Sequence, residues 1–95
     1  MDNHFFKNKY YLRLNFFKNT ENIKFTEIEE KLKKIFSTSK ININKIYTNF
    51  SSAKDEKNII FFLDYVEEPK INSSLLLIKK VPGFKDFFKL KFEDF

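Results

Sequence analysis

Four phenylalanine doublets punctuate this chain. Three of them, Phe16-Phe17, Phe61-Phe62 and Phe87-Phe88, fall in segments whose composition favours strands. Neighbouring residues of a strand point to opposite sides of a sheet. A sheet made from these segments therefore carries aromatic side chains on both faces. If helices cover only one of them, the other face is left aromatic and bare.

The segments read as follows. Residues 9–17 (KYYLRLNFF) alternate cleanly, with Tyr10, Leu12, Leu14 and Phe16 on one side and Tyr11, Arg13, Asn15 and Phe17 on the other, a strand pattern. A helix is expected over about 27–38. Thr26 is placed to cap it and Glu29 to complete a capping box, while Ile28, Leu32, Ile35 and Phe36 form one apolar stripe. A second strand is expected near 45–51, with Lys45, Tyr47 and Asn49 turned outward, followed by a polar turn at 53–58. The run IIFFLDYV (59–66) reads as a central strand, with Ile59, Phe61, Leu63 and Tyr65 inward and Ile60, Phe62 and Asp64 outward. Residues 70–81 fit two patterns. As a helix opening at Pro69 they gather Ile71, Leu75 and Ile78 on one side; as a strand, 75–80 would turn back through Pro82-Gly83. The helix is preferred because leucine favours it and the stretch is long enough. The last strand, 85–92, is read with Phe88, Leu90 and Phe92 inward and Phe87, Lys89 and Lys91 outward.

The order β-α-β-β-α-β points to an α/β (α+β) domain, a ferredoxin-like sandwich with an antiparallel sheet and two helices on one face. The alternative is one helix on a five-stranded antiparallel meander. Residues 1–8 are set apart as an N-terminal arm and 9–95 as a single domain. Fourteen phenylalanines supply the core that so short a chain would otherwise lack.

Composition closes several routes. There is no cysteine, so disulfides, cysteine-ligated zinc and a cysteine nucleophile are excluded. The only histidine is His4, and the only glycine is Gly83, which removes glycine-rich phosphate loops. No apolar run is long enough for a membrane span and the start lacks a signal-peptide core, so a cytoplasmic location is expected. The net charge is +5, concentrated in residues 1–20, where Lys7, Lys9, Arg13 and Lys18 face only Asp2. Such an excess suits nucleic acid. It also suits an AT-rich genome, because Phe, Ile, Lys, Asn and Tyr make up more than half the chain.

The bare face thus gathers Tyr11, Arg13, Asn15, Phe17, Tyr47, Phe62, Phe87, Lys89 and Lys91 as candidate binding residues. Rings between cations let single-stranded bases stack while the cations follow phosphates. The layout is similar to an RNA-recognition-motif domain, and Asn58–Tyr65 can be laid against that family's third-strand motif. The match spans eight residues and departs from the motif at Ile59, Ile60 and Phe61. The resemblance implies single-stranded nucleic acid as the ligand, RNA before DNA. An aromatic face is equally suited to burial by a partner protein or a second copy, for instance in a phage- or mobile-element-type inhibitor docking on a host complex.

Catalysis finds little purchase. Small metal-dependent ribonucleases of this layout place a carboxylate at the end of the first strand, where this chain has Asn15. Asp64 is a lone mid-sheet carboxylate, expected to be solvated or paired with Arg13. Glu67, Glu68, Glu93 and Asp94 read as strand-end solvation, and the serine pairs Ser51-Ser52 and Ser73-Ser74 have no histidine but His4. The chain is expected to be a non-enzymatic binding module with no cofactor and no metal.

Overall fold

The computed structural model describes residues 9–17, 25–51 and 56–92; the expected N-terminal arm, His4, Glu93 and Asp94 lie outside them. The elements run β1 (Tyr10–Phe17), α1 (Phe25–Thr38), β2 (Ile43–Ser51), β3 (Glu56–Leu63), α2 (Glu68–Ile78) and β4 (Phe84–Lys91). The four strands form one antiparallel sheet in the order β2-β3-β1-β4. Both helices pack on the same face, which is the ferredoxin-like arrangement; the five-stranded meander is not formed, because 68–78 is helical.

The core follows the alternation of the two central strands. Leu12, Leu14, Phe16, Ile59, Phe61 and Leu63 meet Ile28, Leu32 and Phe36 of α1 and Ile71, Leu75 and Ile78 of α2. Phe36 and Phe61 meet edge to face at 4.9 Å. Pro69 sits in the first turn of α2, where a missing N–H costs nothing. The helices join through Ser74, whose hydroxyl donates to Ser39 Oγ at 3.0 Å. Helix α1 begins at Phe25, so Thr26 lies inside its first turn rather than capping it. Its other end closes as a Schellman turn: the Ile41 amide donates to the Phe36 carbonyl at 2.9 Å and the Lys40 amide to that of Ser37 at 3.0 Å. Lys40 takes the left-handed position (φ 59°) that glycine usually fills.

Both edge strands open with a bulge. On β2 the register shifts between Ile43 and Lys45, and on β4 between the partners of Phe16 and Asn15, leaving Lys85 as the additional residue. An extra residue reverses the alternation beyond it. Ile43 and Ile46, like Phe84 and Phe87, are three residues apart yet both pack against the core. This overturns the expected orientation of β4. Phe88 and Leu90 pair with Arg13 and Tyr11 and face away from the helices, whereas Phe87, Lys89 and Lys91 lie on the helix side. With Phe84 inward, an unbulged strand would have aimed Asp86 into the core, and the bulge keeps that carboxylate out. Tyr65 is a second correction: β3 ends at Leu63, the alternation stops there, and Tyr65 is 63% exposed.

Candidate docking surface on the open sheet face

The face away from the helices divides along the strands into two halves. One half is aromatic. Tyr11 on β1 and Phe62 on β3 are directly paired, with ring centroids 5.5 Å apart and edge to face. Around them stand Tyr47 (5.8 Å from Phe62), Phe88 (6.1 Å from Tyr11) and Phe92, which stacks parallel to Phe62 at 6.5 Å. Three large apolar side chains here remain open to solvent: Tyr47 is 51% exposed, and Phe88 and Leu90 are each 47% exposed. Arg13 lies over Phe88, its guanidinium carbon 5.5 Å from the ring centre. Lys45 pairs in register with Phe62 and is exposed.

The other half is polar and closed. Asn58 Nδ2 donates to Asn15 Oδ1 at 2.5 Å and lies 3.4 Å from Glu56 Oε1. Asn15 Nδ2 donates in turn to Asp86 Oδ1 at 2.5 Å, and Lys85 Nζ donates to Glu56 Oε2 at 2.6 Å. Glu56, Asn15 and Asn58 are only 6%, 7% and 9% exposed. The Glu56 hydrogen bond raises the Lys85 pKa and holds its ammonium charged. Phe17 stands at this end, 52% exposed, with Lys85 Nζ 5.9 Å from its ring centre. Six residues of strand, roughly 20 Å, separate it from Tyr11.

Of the nine side chains read from sequence, the structure brings Tyr11, Arg13, Tyr47 and Phe62 together. Asn15 shares their face but is enclosed in the amide–acid chain, and Phe17 sits at the far end. Phe87, Lys89 and Lys91 are on the opposite side: Lys89 Nζ donates to Glu68 Oε2 at 2.7 Å, and Lys79 Nζ lies 5.5 Å from the Phe87 ring centre. The Lys89 hydrogen bond draws the Glu68 carboxyl below its usual pKa. Glu68 therefore has a structural partner, and it also accepts from the Tyr10 hydroxyl at 3.4 Å. Burial, first, and then Glu68 push the Tyr10 phenol upward. Asp64 is not paired with Arg13; it accepts from Asn42 and Asn44 at 3.0 and 2.8 Å. Phe88, Leu90, Phe92 and Ile60 complete the aromatic half. The first three were hidden by the bulge, whose sequence signal is the three-residue spacing from Phe84 to Phe87.

Among the described residues, no group of three or more His, Cys, Asp or Glu is placed to hold a metal, and no helix is long and apolar enough to cross a membrane.

No protein-family model matches the sequence, and no curated protein matches it. Solved structures do. The C-terminal domain of the MgtC protein from Mycobacterium tuberculosis superposes with a TM-score of 0.73 at 16% identity, covering 98% of this chain and 95% of that domain. A homoserine dehydrogenase from Thiobacillus denitrificans matches with a TM-score of 0.69 at 20% identity over 92% of this chain. The chain spans only 18% of that dehydrogenase. The de novo designed protein Ferredog-Diesel matches at 0.53 with 12% identity, covering 96% of this chain and 92% of the design. At these identities the likeness is one of fold: a small α+β domain of ferredoxin-like architecture.

Proposed function

We propose that this chain is a non-enzymatic binding module of the cytoplasm whose open sheet face docks another protein. One observation carries the reading. The half of the face that, among the described residues, has no side-chain hydrogen-bond network joining its rings is built from Tyr11, Tyr47, Phe62, Phe88 and Leu90 around Arg13, with Lys45 beside Phe62, and three of these apolar side chains are about half exposed. Protein interfaces concentrate tyrosine, phenylalanine and arginine at their centres and leave lysine at the rim or outside. The bulge on β4 makes that division here by sending Lys89 and Lys91 to the helix side. Single-stranded nucleic acid, RNA before DNA, is the competing ligand. It draws support from the Tyr11–Phe62 pair on the central strands, but it has fewer cations on the aromatic half with which to follow phosphates.

The test uses Tyr47→Ser and Phe88→Ser together, both at half-exposed positions where the fold tolerates change. Wild-type chain should capture a protein from its native cells, and the purified pair should re-form with affinity reduced at least about tenfold by the double substitution. The reading fails if no complex can be reconstituted while a short oligouridylate binds in a salt-dependent manner that the double substitution abolishes.

A further inference from the structure

Arg13 is the chain's single arginine and stands in the middle of the docking face, between Ile60 of β3 and Phe88 of β4 in register. Lys45, beside Phe62, is the exposed cation on the same half, while two lysines of β4 lie elsewhere, Lys85 in the polar half and Lys89 on the helix side. Lys85 and Lys89 each hold a carboxylate at 2.6 and 2.7 Å. Among the described residues, no carboxylate lies within ion-pair distance of Arg13, and its Nε is buried without an acceptor. The nearest acid by register is Asp86, and its Oδ1 takes the Asn15 amide. Buried polar groups in folded proteins nearly always find a partner, so an orphaned guanidinium N–H calls for an explanation.

The chemistry of the group narrows what would answer it. A guanidinium offers parallel N–H groups that match both oxygens of a carboxylate, and stacking on a ring fixes its plane. Arg13 is held on Phe88 in this way, with Tyr11 beside that ring. Asp86 on the same face opposes the double charge of a phosphate dianion more strongly than the single charge of a carboxylate. A single carboxylate matches a single guanidinium. We propose that Arg13 is the anchor of the docking site: it receives the carboxylate of an acidic side chain from a partner segment, while apolar side chains flanking that acid settle on Tyr11, Phe62 and Phe88. The proposal rests on the protein-docking reading and names the chemistry of the segment that docks. Turning its Nε edge toward the carboxylate gives the orphaned N–H an acceptor.

Nitrogen-15 NMR tests this directly, because one arginine gives one Nε–Hε resonance. The probes are the tripeptide phenylalanyl-glutamyl-phenylalanine, blocked at both ends, its glutaminyl counterpart and a short oligouridylate. The glutamyl peptide should shift the Arg13 Nε–Hε resonance together with the Tyr11, Phe62 and Phe88 amides, and should bind at least about tenfold more tightly than the glutaminyl one. Arg13→Lys keeps the charge but not the fork and should weaken this preference, whereas Arg13→Gln, which removes the charge, should erase it and leave the ring residues responsive. If both peptides move the ring amides equally and the arginine resonance stays still, the anchor is wrong and the docking face survives. If neither peptide perturbs the face, or only the oligouridylate does, the docking reading falls and takes the anchor with it.

Discussion

The two halves of the open face invert the usual relation between polarity and exposure. The amide–acid chain from Lys85 to Asp86 is polar yet buried at its centre, in Glu56, Asn58 and Asn15, whereas the apolar cluster around Phe62 leaves Tyr47, Phe88 and Leu90 about half exposed. The polar half satisfies itself, since its donors and acceptors are consumed within the sheet. The apolar half is held by ring contacts, mostly edge to face, with Phe92 stacked on Phe62 and Arg13 over Phe88, and these leave Tyr47 and Phe88 about half exposed. The difference teaches that exposure on this face tracks unmet contact rather than residue type, and that the half open to a partner is the apolar one.

The largest test of that division sets the covered face against the open one. Phe61→Ala, on the helix side at 0% exposure, should cost about 3–5 kcal/mol in urea unfolding. Phe88→Ala, among the open rings, should cost no more than about 1 kcal/mol. Equal costs would mean that the aromatic half is a second core and not a docking surface.

Next in size is the hub of the polar half. Asn58→Ala removes the donor shared by Asn15 and Glu56 and leaves their oxygens buried, so stability should fall by about 1–3 kcal/mol. A cost near zero would show that water serves these groups as well as Asn58 does.

The smallest effect is a pH slope. The Lys85 pKa is raised by Glu56, so its contribution is complete below the ordinary lysine range and is lost as pH climbs through the raised value. In alkaline unfolding series the wild type should lose stability in that range faster than Lys85→Met. Parallel curves would mean that the pair contributes nothing measurable, as many exposed ion pairs do.

Most of the fold was legible because its signals are local. Period-two alternation placed Tyr10, Leu12, Leu14 and Phe16 inward, and the stripe at Ile28, Leu32 and Phe36 placed α1. The stretch at 70–81 resolved as a helix because Ile71, Leu75 and Ile78 share one face and Pro69 opens it. The site was half legible. Tyr11, Arg13, Tyr47 and Phe62 follow from alternation alone on strands whose register is regular through these positions. Phe87, Lys89 and Lys91 were misplaced because a bulge is a property of pairing: it depends on where Asp86 can sit once Phe84 is anchored against Phe16. The amide–acid chain was not legible either, since it joins residues as far apart as Asn15 and Asp86.

The two bulges also bear on how copies of this chain behave when concentrated. An exposed sheet edge is a template on which other edges can pair and grow into fibres, and an irregular row of amides and carbonyls is a poor template. Both borders of this sheet open irregularly, at Ile43–Lys45 on one side and at Lys85 on the other. Pairing is thus hindered where each rim begins, and any extension of the sheet would have to start on the regular stretches that follow, residues 45–51 and 86–91.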